Sequence, residues 1–247
     1  MSDLCVSIVS HGQGKIADLL LDDLDRRCSG LNVVVTKNIP EEWPVRDRRY
    51  PLLQIENPSA KGFGANHNQA FRRCDSSLFC VANPDIRLQA DPFDDLKAAM
   101  GDPRVGLVAP LIVNPVGNLE DSARYFPTPS GLLRKVLGKG DGRFPIDPNR
   151  PSAVDWTAGM FMLFRSEAFA EIGGFDEGFF LYYEDVDICA RLWKAGWKVI
   201  LQPTVSVVHD ARRASHTNPK YMRWHVSSMM RYFTKYLGRT PDISRMT

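Results

Sequence analysis

Short apolar runs alternate with amphipathic stretches through the first half of the chain. The runs are rich in β-branched residues, which is typical of buried strands, whereas the amphipathic stretches repeat their apolar positions at helical spacing. Strands are predicted at 4–9, 31–35, 51–55 and 77–81, and helices at 16–24 and 63–73. This order predicts a mostly parallel sheet covered by helices. Ligands bind such sheets at the carboxyl ends of the strands.

The second half of the chain is less regular. Strands are predicted at 105–109, 160–164, 199–201 and 205–208, and a helix begins at Ser166. Residues 114–155 are rich in Pro, Gly and charged side chains, which predicts a long loop region with short elements. Because no Pro- or Ser-rich linker divides the chain, we expect an α/β fold in a single domain that spans residues 1–247.

Composition places the chain among ordinary globular proteins, with 44% hydrophobic and 24% charged residues. A net charge of +2 gives no argument for nucleic acid as a partner, and we expect none. Five cysteines without a CxxC pair predict neither a disulfide framework nor a zinc site, which favours a reduced, cytoplasmic compartment. The first residues do not resemble a signal peptide, and no apolar stretch is long enough to span a bilayer.

The segment 174–187 mixes carboxylates with aromatic side chains. Arg191 follows Asp187 by one helical turn, so we expect a helix that begins near Glu184 and pairs those two charges. Glu184 and Asp185 then lie in the first turn, where apolar neighbours would raise the pKa of each carboxyl and suit it to act as a general base. The alternative interpretation is an acidic first turn that serves only to cap the helix.

Two further positions follow predicted strands at the ligand-binding edge of the sheet. Asp85, in the tripeptide Asn83-Pro84-Asp85, is well placed to hold a hard divalent cation, although the same tripeptide also suits a simple turn. His209 follows the strand predicted at 205–208, so it is either a metal ligand or a loop histidine.

Glycines mark three more candidate sites. The segment 11–15 follows the first strand but lacks the spacing of a dinucleotide fold or a P-loop. The segment 61–68 opens a predicted helix, where glycines and the helix N-terminus favour phosphate, although tight packing explains the glycines equally well. Gly159 is either part of a site or a plain strand start.

Taken together, these motifs resemble the family 2 glycosyltransferases, and within them the bacterial rhamnosyltransferase-like enzymes of cell-surface polysaccharide assembly. The resemblance extends from Val6 to about Leu237. It implies a Rossmann-like GT-A fold, an inverting mechanism and a nucleotide-diphosphate sugar donor. The ordered set consists of Asn57, 61–64, Asn68, 83–85, Trp156, Gly159, 173–177, Phe180, 184–187, Arg191, Gly196 and His209.

The resemblance also assigns roles. Asp185 matches the catalytic base, and Glu184 lies beside the acceptor. Asp85 matches the last acid of the family's DxD-type metal motif, with Asn83 in the first place, and His209 matches a histidine that completes the site for Mg²⁺ or Mn²⁺ in some members. An amide at position 83 is a departure from the carboxylate of the motif.

Donor and acceptor contacts follow in the same way. Residues 1–113 are expected to bind the nucleotide sugar, a dTDP- or UDP-sugar, and residues 114–218 the acceptor, a lipid-linked glycan or an oligosaccharide. Lys37 stands where many members have an aspartate that contacts the base, which leaves the donor open; a deoxyhexose such as L-rhamnose is favoured. The implied donor contacts are Ser10, His11, Asn38, Asn57, Lys61, Gly62, Phe63, Asn68, Asn83 and Asp85, and the substrate contacts are Trp156, Gly159, Asp187 and Arg191.

Residues 219–247 are expected to form a C-terminal amphipathic helix and tail. Apolar residues recur at helical spacing at 222, 226, 229, 230, 233 and 237, flanked by cationic side chains. The helix either docks on the domain or lies at a membrane interface near a lipid-linked acceptor, as a peripheral contact on the inner face of the cytoplasmic membrane.

Two other classes of function remain open at this stage. One is a glycoside hydrolase that uses Glu184 with Asp185 or Asp187 as its acid pair. Adjacent side chains of a helix point apart, which argues against a paired role for Glu184 and Asp185. The other is a non-catalytic module that binds a sugar nucleotide or a glycan.

Overall fold

A twisted central sheet with helices on both faces forms the core of the protein. The structure, a computed structural model, describes residues 3–120, 122–139, 142–210, 219–237 and 239–243. The strands are β1 (Leu4–Ser10), β2 (Leu31–Lys37), β3 (Leu52–Glu56), β4 (Leu78–Ala82), β5 (Ile86–Arg87), β6 (Val105–Val113), β7 (Ala123–Arg124), β8 (Ser152–Ala153), β9 (Trp156–Thr157), β10 (Phe161–Arg165) and β11 (Lys198–His209).

Strands in the main sheet follow the order β3-β2-β1-β4-β10-β6-β11-β5, with β8 paired to β11. The pairs β3–β2, β2–β1, β1–β4 and β6–β11 are parallel, as the alternation of strands and helices predicts. Strand β10 runs antiparallel between β4 and β6. A separate two-stranded sheet joins β7 to β9. The carboxyl ends of β1, β2 and β4 therefore meet at one edge.

Helices pack on the two faces of this sheet because successive strand residues point in opposite directions. In β1, Leu4, Val6 and Ile8 face one helical layer, whereas Cys5 faces the other. The helices are α1 (Gly14–Arg27), α2 (Phe63–Phe71), α3 (Phe93–Ala98), α4 (Pro129–Val136), α5 (Ser166–Glu171), α6 (Glu184–Lys194) and α7 (Pro219–Tyr236). Among the described residues, no helix has both the length and the apolar character needed to cross a membrane.

The structure corrects one prediction of secondary structure and contains a helix, α3, that was not predicted. The two short strands expected at 199–201 and 205–208 form one strand, β11, whose pairing with β6 shifts register between Gln202 and Ser206. This irregularity accommodates Pro203 without ending the strand. Helix α3 was not predicted, because its apolar contribution comes from the short pair Phe93 and Leu96.

The prediction that the chain has no disulfide was wrong. Cys5 on β1 and Cys74 just after α2 are joined by a disulfide, whereas Cys28, Cys80 and Cys189 are buried and outside disulfides. The bonded residues lie 69 positions apart in the chain. Sequence spacing could not reveal that the fold brings their backbones within bonding reach.

Candidate active site

A strained turn presents the acidic pair predicted from the sequence. Tyr182 and Tyr183 adopt left-handed backbone conformations, with φ of 71° and 65°, immediately before α6 begins at Glu184. Such conformations cost bulky residues about 1–3 kcal/mol each and cluster at functional sites. The sharp turn places Glu184 and Asp185 at the first residues of the helix, as expected. A role limited to capping the helix would not require a strained turn before it.

Backbone amides fix the orientation of the Asp185 carboxylate. Gly159 N–H donates to its Oδ2 at 3.1 Å, and Val186 N–H donates to its Oδ1 at 2.9 Å. Gly159 therefore belongs to the site, through its backbone amide. A Cβ atom at position 159 would lie 3.4 Å from the Cβ of Asp185, an ordinary contact distance, so packing alone does not require glycine here.

Environment separates the two carboxyls chemically. Burial, together with the charge of Asp185, raises the pKa of Glu184 well above its usual value, and its Oε2 is buried without a hydrogen-bond partner. Burial also raises the pKa of Asp185, but hydrogen bonds from the Gly159 and Val186 amides oppose that effect. The two amide donors favour the charged form of Asp185, whereas Glu184 Oε2 has no donor, a difference in surroundings that is typical of paired catalytic carboxyls.

Two clefts meet at this pair. The first cleft, about 540 Å³, opens at the carboxyl ends of β1, β2 and β4 and contains Asp85. The second, about 800 Å³, lies against α4 and the β7–β9 sheet. Tyr182, Glu184 and Asp185 line both clefts. A group bound in one cleft would therefore approach a group bound in the other at the Asp185 carboxylate.

The first cleft contains most of the residues predicted to bind the donor. Its lining includes His11, Asn38, Lys61, Phe63, Asn83 and Asp85. Asn38 is the centre of a hydrogen-bond network. It donates to the Lys61 carbonyl at 2.9 Å, accepts from the Lys61 amide at 2.8 Å and contacts His11 Nδ1 at 3.1 Å. This network fixes the loop that precedes α2 against the end of β2.

Four predicted donor contacts instead support that cleft from behind. Asn57 is buried and donates to Asn38 and Asn66, and Ser10 Oγ accepts from the Gln13 amide. Asn68 both donates to the Phe175 carbonyl and accepts from its amide, each at 2.9 Å. A Cβ at Gly62 would lie 2.8 Å from the Phe180 carbonyl, so this glycine serves close packing. At these four positions the residues of the motif therefore make contacts within the protein that support the cleft.

Asp85, Glu120 and His209 form a second polar cluster, at the edge of the first cleft. His209 Nε2 lies 3.4 Å from Asp85 Oδ2, and His209 Nδ1 lies 2.7 Å from Glu120 Oε2. Burial lowers the pKa of His209, but hydrogen bonds to Asp85 and Glu120 outweigh it and raise the pKa to about 9. Glu120 was missed in the sequence, because nothing near it in the chain marks it as a partner of His209.

This cluster fits a divalent cation that takes further ligands from a bound diphosphate. Asp85 Oδ1 is buried without a hydrogen-bond partner, which leaves an oxygen ligand available. A carboxylate such as Glu120 on the far nitrogen is the usual support for a metal-binding histidine. Within the described part of the chain, no group of three or more His, Cys, Asp or Glu side chains has metal-binding geometry by itself.

The structure assigns Asp187 and Arg191 to helix packing rather than to the predicted substrate site. Asp187 is fully buried on the side of α6 that faces α7. It accepts from Arg191 Nε at 2.8 Å and from the Tyr236 hydroxyl at 2.9 Å, and Lys235 Nζ lies 2.6 Å from its Oδ1. The predicted pair with Arg191 is confirmed, but neither side chain reaches the clefts.

Helix α7 docks on the domain through a face that the apolar pattern identified only in part: Met229 and Phe233 of the predicted stripe pack against the core. Ser228, Tyr232 and Tyr236 are buried, and Ser228 Oγ donates to the Leu181 carbonyl at 2.8 Å. Trp224 stacks on Phe180 and lines the first cleft, whereas the adjacent His225 lines the second. Met222, Val226 and Met230, which belong to the predicted apolar stripe, are exposed.

The second cleft contains Trp156, as predicted for a substrate contact. Its indole Nε1–H donates to the Tyr125 carbonyl at 3.0 Å, which fixes the ring against β7. Tyr125, Tyr182 and Tyr183 add further aromatic surface to this cleft. Rigid aromatic faces of this kind suit the apolar faces of sugar rings.

Comparison with known proteins gives consistent results. Rhamnosyltransferase WbbL of Escherichia coli K12 is 29% identical, over 93% of this chain and 92% of its own length. N-acetylglucosaminyl-diphospho-decaprenol L-rhamnosyltransferase of Mycobacterium tuberculosis H37Rv is 38% identical over 56% of this chain, and the matched part is about half (48%) of that relative.

Solved structures share the fold at low sequence identity. GalNAc-T7 with UDP, GalNAc and Mn²⁺ aligns over 91% of this chain and 47% of its own, with a TM-score of 0.66 and 17% identity. Mannosyltransferase PcManGT of Pyrobaculum calidifontis, in complex with GDP-Man and Mn²⁺, aligns over 97% of this chain and 65% of its own, with a TM-score of 0.66 and 18% identity. These neighbours are GT-A glycosyltransferases, which confirms the predicted fold.

A family model provides the assignment. The model described as glycosyl transferase family group 2 matches residues 84–225, which contain Asp85, the acidic pair and His209. This match removes the support for a glycoside hydrolase or a non-catalytic module. The chain belongs to glycosyl transferase family group 2.

Proposed function

We propose that the protein is an inverting glycosyltransferase that moves a sugar from a nucleotide-diphosphate donor to a glycan or lipid-linked acceptor in cell-surface polysaccharide assembly. The observation that carries this proposal is the position of Asp185, which lines both clefts and accepts hydrogen bonds from two backbone amides where they meet. The donor then occupies the first cleft and the acceptor the second. The base is thus in reach of an acceptor hydroxyl that faces the donor sugar.

The chemistry follows from these positions. Asp185 accepts the proton of the acceptor hydroxyl, whose oxygen bonds to the anomeric carbon while the bond to the diphosphate breaks. One displacement of this kind inverts the anomeric centre. Glu184, whose pKa burial raises, is suited to donate a hydrogen bond to the acceptor. A Mg²⁺ or Mn²⁺ ion held by Asp85 and His209 would neutralise the leaving diphosphate.

The names of the relatives favour a particular donor and acceptor. The relatives described above from Escherichia coli and Mycobacterium tuberculosis are both rhamnosyltransferases, and the name of the second specifies an N-acetylglucosaminyl-diphospho-decaprenol acceptor. We therefore propose L-rhamnose as the sugar, a dTDP- or UDP-sugar as the donor, and a lipid-linked acceptor that the enzyme meets at the inner face of the cytoplasmic membrane.

A donor screen followed by product analysis tests this proposal. The melting temperature should rise with Mn²⁺ and one nucleotide sugar, because a ligand that binds the native state stabilises it. That sugar should then be transferred to a lipid-linked N-acetylglucosamine with inversion, which NMR of the product anomer reports. Hydrolysis of the donor without acceptor-dependent product, or a retained anomer, would contradict the proposal.

Loss of the cation-binding residues should weaken donor binding. We expect Asp85→Ala to abolish Mn²⁺-dependent donor binding and His209→Ala to reduce it less, because the carboxylate supplies a charged oxygen ligand. Glu120→Ala should lower Mn²⁺ affinity about 10–100-fold through the orientation of His209. Mn²⁺ binding is followed by electron paramagnetic resonance, independently of activity. Mn²⁺ affinity and EDTA resistance unchanged from the parent protein would exclude these residues as the cation site.

The exposed stripe of α7 is proposed to contact anionic lipid. Met222, Val226 and Met230 are 64%, 45% and 56% exposed, and the docked face of the helix does not use them.

The triple change to Gln should abolish co-sedimentation with anionic liposomes while the melting temperature stays unchanged. Binding by the parent protein should fall with salt, since surface charges are screened. Val116→Gln, at an exposed apolar residue outside α7, is the matched control. Full sedimentation of the triple variant would rule out the stripe.

A further inference from the structure

Strand β5 connects the two proposed cation ligands. It follows Asp85 directly in the chain and consists of only two residues, Ile86 and Arg87. In the sheet it pairs antiparallel with β11, where Ile86 lies opposite His209. The Asp210 amide also donates to the Asp85 carbonyl at 3.0 Å. The distance between the Asp85 carboxylate and the His209 imidazole therefore depends on where β5 lies against β11.

Pairing with β11 alone is a weak constraint on so short a strand. Strand β5 is the last strand of the main sheet, so it has a neighbouring strand on one side only. Ile86 and Leu88 are buried on either side of Arg87 and hold the segment against the core. Apolar burial is non-directional, so it fixes the depth of β5 better than its position along β11. A contact with fixed geometry can define that position as well.

Asp23 of α1 supplies such a contact. Among the described residues of this helix it is the only charged one that is buried, with 1% of its surface exposed. Arg87 reaches it with two nitrogens of the guanidinium, Nε at 2.6 Å from Oδ2 and Nη2 at 3.0 Å from Oδ1. The Leu88 amide donates to the same Oδ2 at 3.1 Å. Two successive residues of the segment that follows Asp85 are thus tied to one carboxylate.

This contact has the charge and the geometry of a strong anchor. Burial alone would raise the pKa of the Asp23 carboxyl, but hydrogen bonds from Arg87 and Leu88 outweigh burial and lower it. A bidentate pair between arginine and a carboxylate adds geometric specificity to the attraction of the charges. Arg26 and Arg27 lie 3.4 and 4.0 Å from the same carboxylate, but both are more exposed than Arg87, and exposed ion pairs contribute little.

We propose that Asp23 is a positioning residue for the cation site: through Arg87 and β5 it holds Asp85 at the distance from His209 that a shared divalent cation requires. The inference rests on the proposed function, in which those two side chains bind Mg²⁺ or Mn²⁺ together with the donor diphosphate. Asp23 and Arg87 line neither cleft, so their effect on the cation passes through β5. Without the ion pair, β5 keeps its buried apolar residues but loses its fixed position along β11.

The enhancement of nucleotide binding by Mn²⁺ measures this role without turnover. Calorimetry gives the Kd of UDP and of dTDP without and with Mn²⁺, and the ratio of the two values for the tighter nucleotide is the enhancement. The double change Asp23→Asn with Arg87→Met removes both charges, so no unpaired buried charge remains, and the asparagine can still accept the Leu88 amide. We expect the enhancement to fall about tenfold, at the low end for residues that support a metal ligand. The Kd without Mn²⁺ should stay unchanged.

Two further variants separate positioning from stability. The Arg48 side chain is 4% exposed and lies 2.8 Å from Asp18 and 2.9 Å from Asp22 on the same helix. Arg48→Met breaks this second ion-pair contact of α1, which does not involve β5, so it should lower the melting temperature and leave the enhancement at the parent value. Arg87→Lys keeps the charge but loses the planar fork, and its enhancement should lie between those of the parent and the double variant. It also carries the test if the double variant fails to fold.

A double variant that folds and keeps the parent enhancement would overturn the positioning role, as would a loss of equal size in Arg48→Met. These outcomes are distinct from failure of the proposed function. If neither nucleotide binds the parent protein more tightly with Mn²⁺, the proposed cation site is refuted and the positioning role with it. If Mn²⁺ enhances binding as expected but no sugar is transferred from any nucleotide sugar, the transfer function is refuted and the positioning role remains.

Discussion

Asp185→Asn should lower sugar transfer about 10²–10⁴-fold, the usual cost of losing a general base. The amide has the size of the carboxylate, but its single oxygen keeps only one of the hydrogen bonds from the Gly159 and Val186 amides, which reach different oxygens of Asp185. It cannot take the proton of the acceptor hydroxyl. Donor binding, measured by thermal shift with Mn²⁺, should stay within about twofold of the parent value, because the proposed site for the cation and diphosphate is at Asp85.

The pH profile gives a second measure of the same base. Burial raises the pKa of Asp185, and the base acts only when it is deprotonated. Activity of the parent enzyme should therefore fall as the pH drops through a value above the ordinary aspartate pKa of about 3.9. Asp147→Asn, at a carboxylate paired with Arg150 on the surface, is the control and should leave rate and profile unchanged. A near-normal rate in Asp185→Asn would remove Asp185 from the mechanism.

The fold and the acidic pair were predictable because each is encoded in neighbouring residues. Strand β1 is visible as an apolar run, and the start of α6 as Asp187 one helical turn before Arg191, with Glu184 and Asp185 just ahead of that pair. Burial of that turn follows from the aromatic residues around it. The prediction that its carboxyl pKa values are raised is confirmed in direction for both residues.

Roles that depend on distant contacts were not predictable. Glu120 becomes a partner of His209 across 89 positions of the chain, and Asn68 binds Phe175 across 107. For Asn68, the motif indicated a ligand contact, whereas the structure uses its amide to hold a loop. Local pattern reports which residues are polar at a helix start, but only the packing decides whether they face a cleft.

Helix α7 also shows how far a local sequence pattern can predict packing. Hydrophobicity selected residues 222, 226, 229, 230, 233 and 237 as its apolar face. Met229 and Phe233 of these pack on the core, but the fully buried positions of the helix are Ser228, Tyr232 and Tyr236. Ser228 and Tyr236 contribute through hydroxyl groups that bond to Leu181 and Asp187. A periodicity analysis weights such residues low, so it found only part of the docked face.

Asp187→Ala should destabilise the protein by about 3 kcal/mol, at the lower end for a broken buried ion pair because Lys235 and Arg191 are partly exposed. The change leaves both cations and the Tyr236 hydroxyl without their shared carboxylate. For a chain of this length, that loss corresponds to a fall in melting temperature of about 6–12 °C. Asp147→Ala, at an exposed pair, should change stability by less than about 0.5 kcal/mol.

Asp187→Ala should also affect both clefts, since α7 places Trp224 in the first and His225 in the second. Released from Asp187, the end of α7 loses its strongest anchor to α6, so the affinities for donor and acceptor should weaken together. Asp187→Asn keeps an oxygen for the Tyr236 hydroxyl but loses the charge, and should fall between the parent and the alanine variant. If Asp187 instead contacts substrate, as its motif suggested, the alanine variant would raise KM for one substrate at an unchanged melting temperature. Thermal denaturation alongside both KM values distinguishes a helix anchor from a ligand contact.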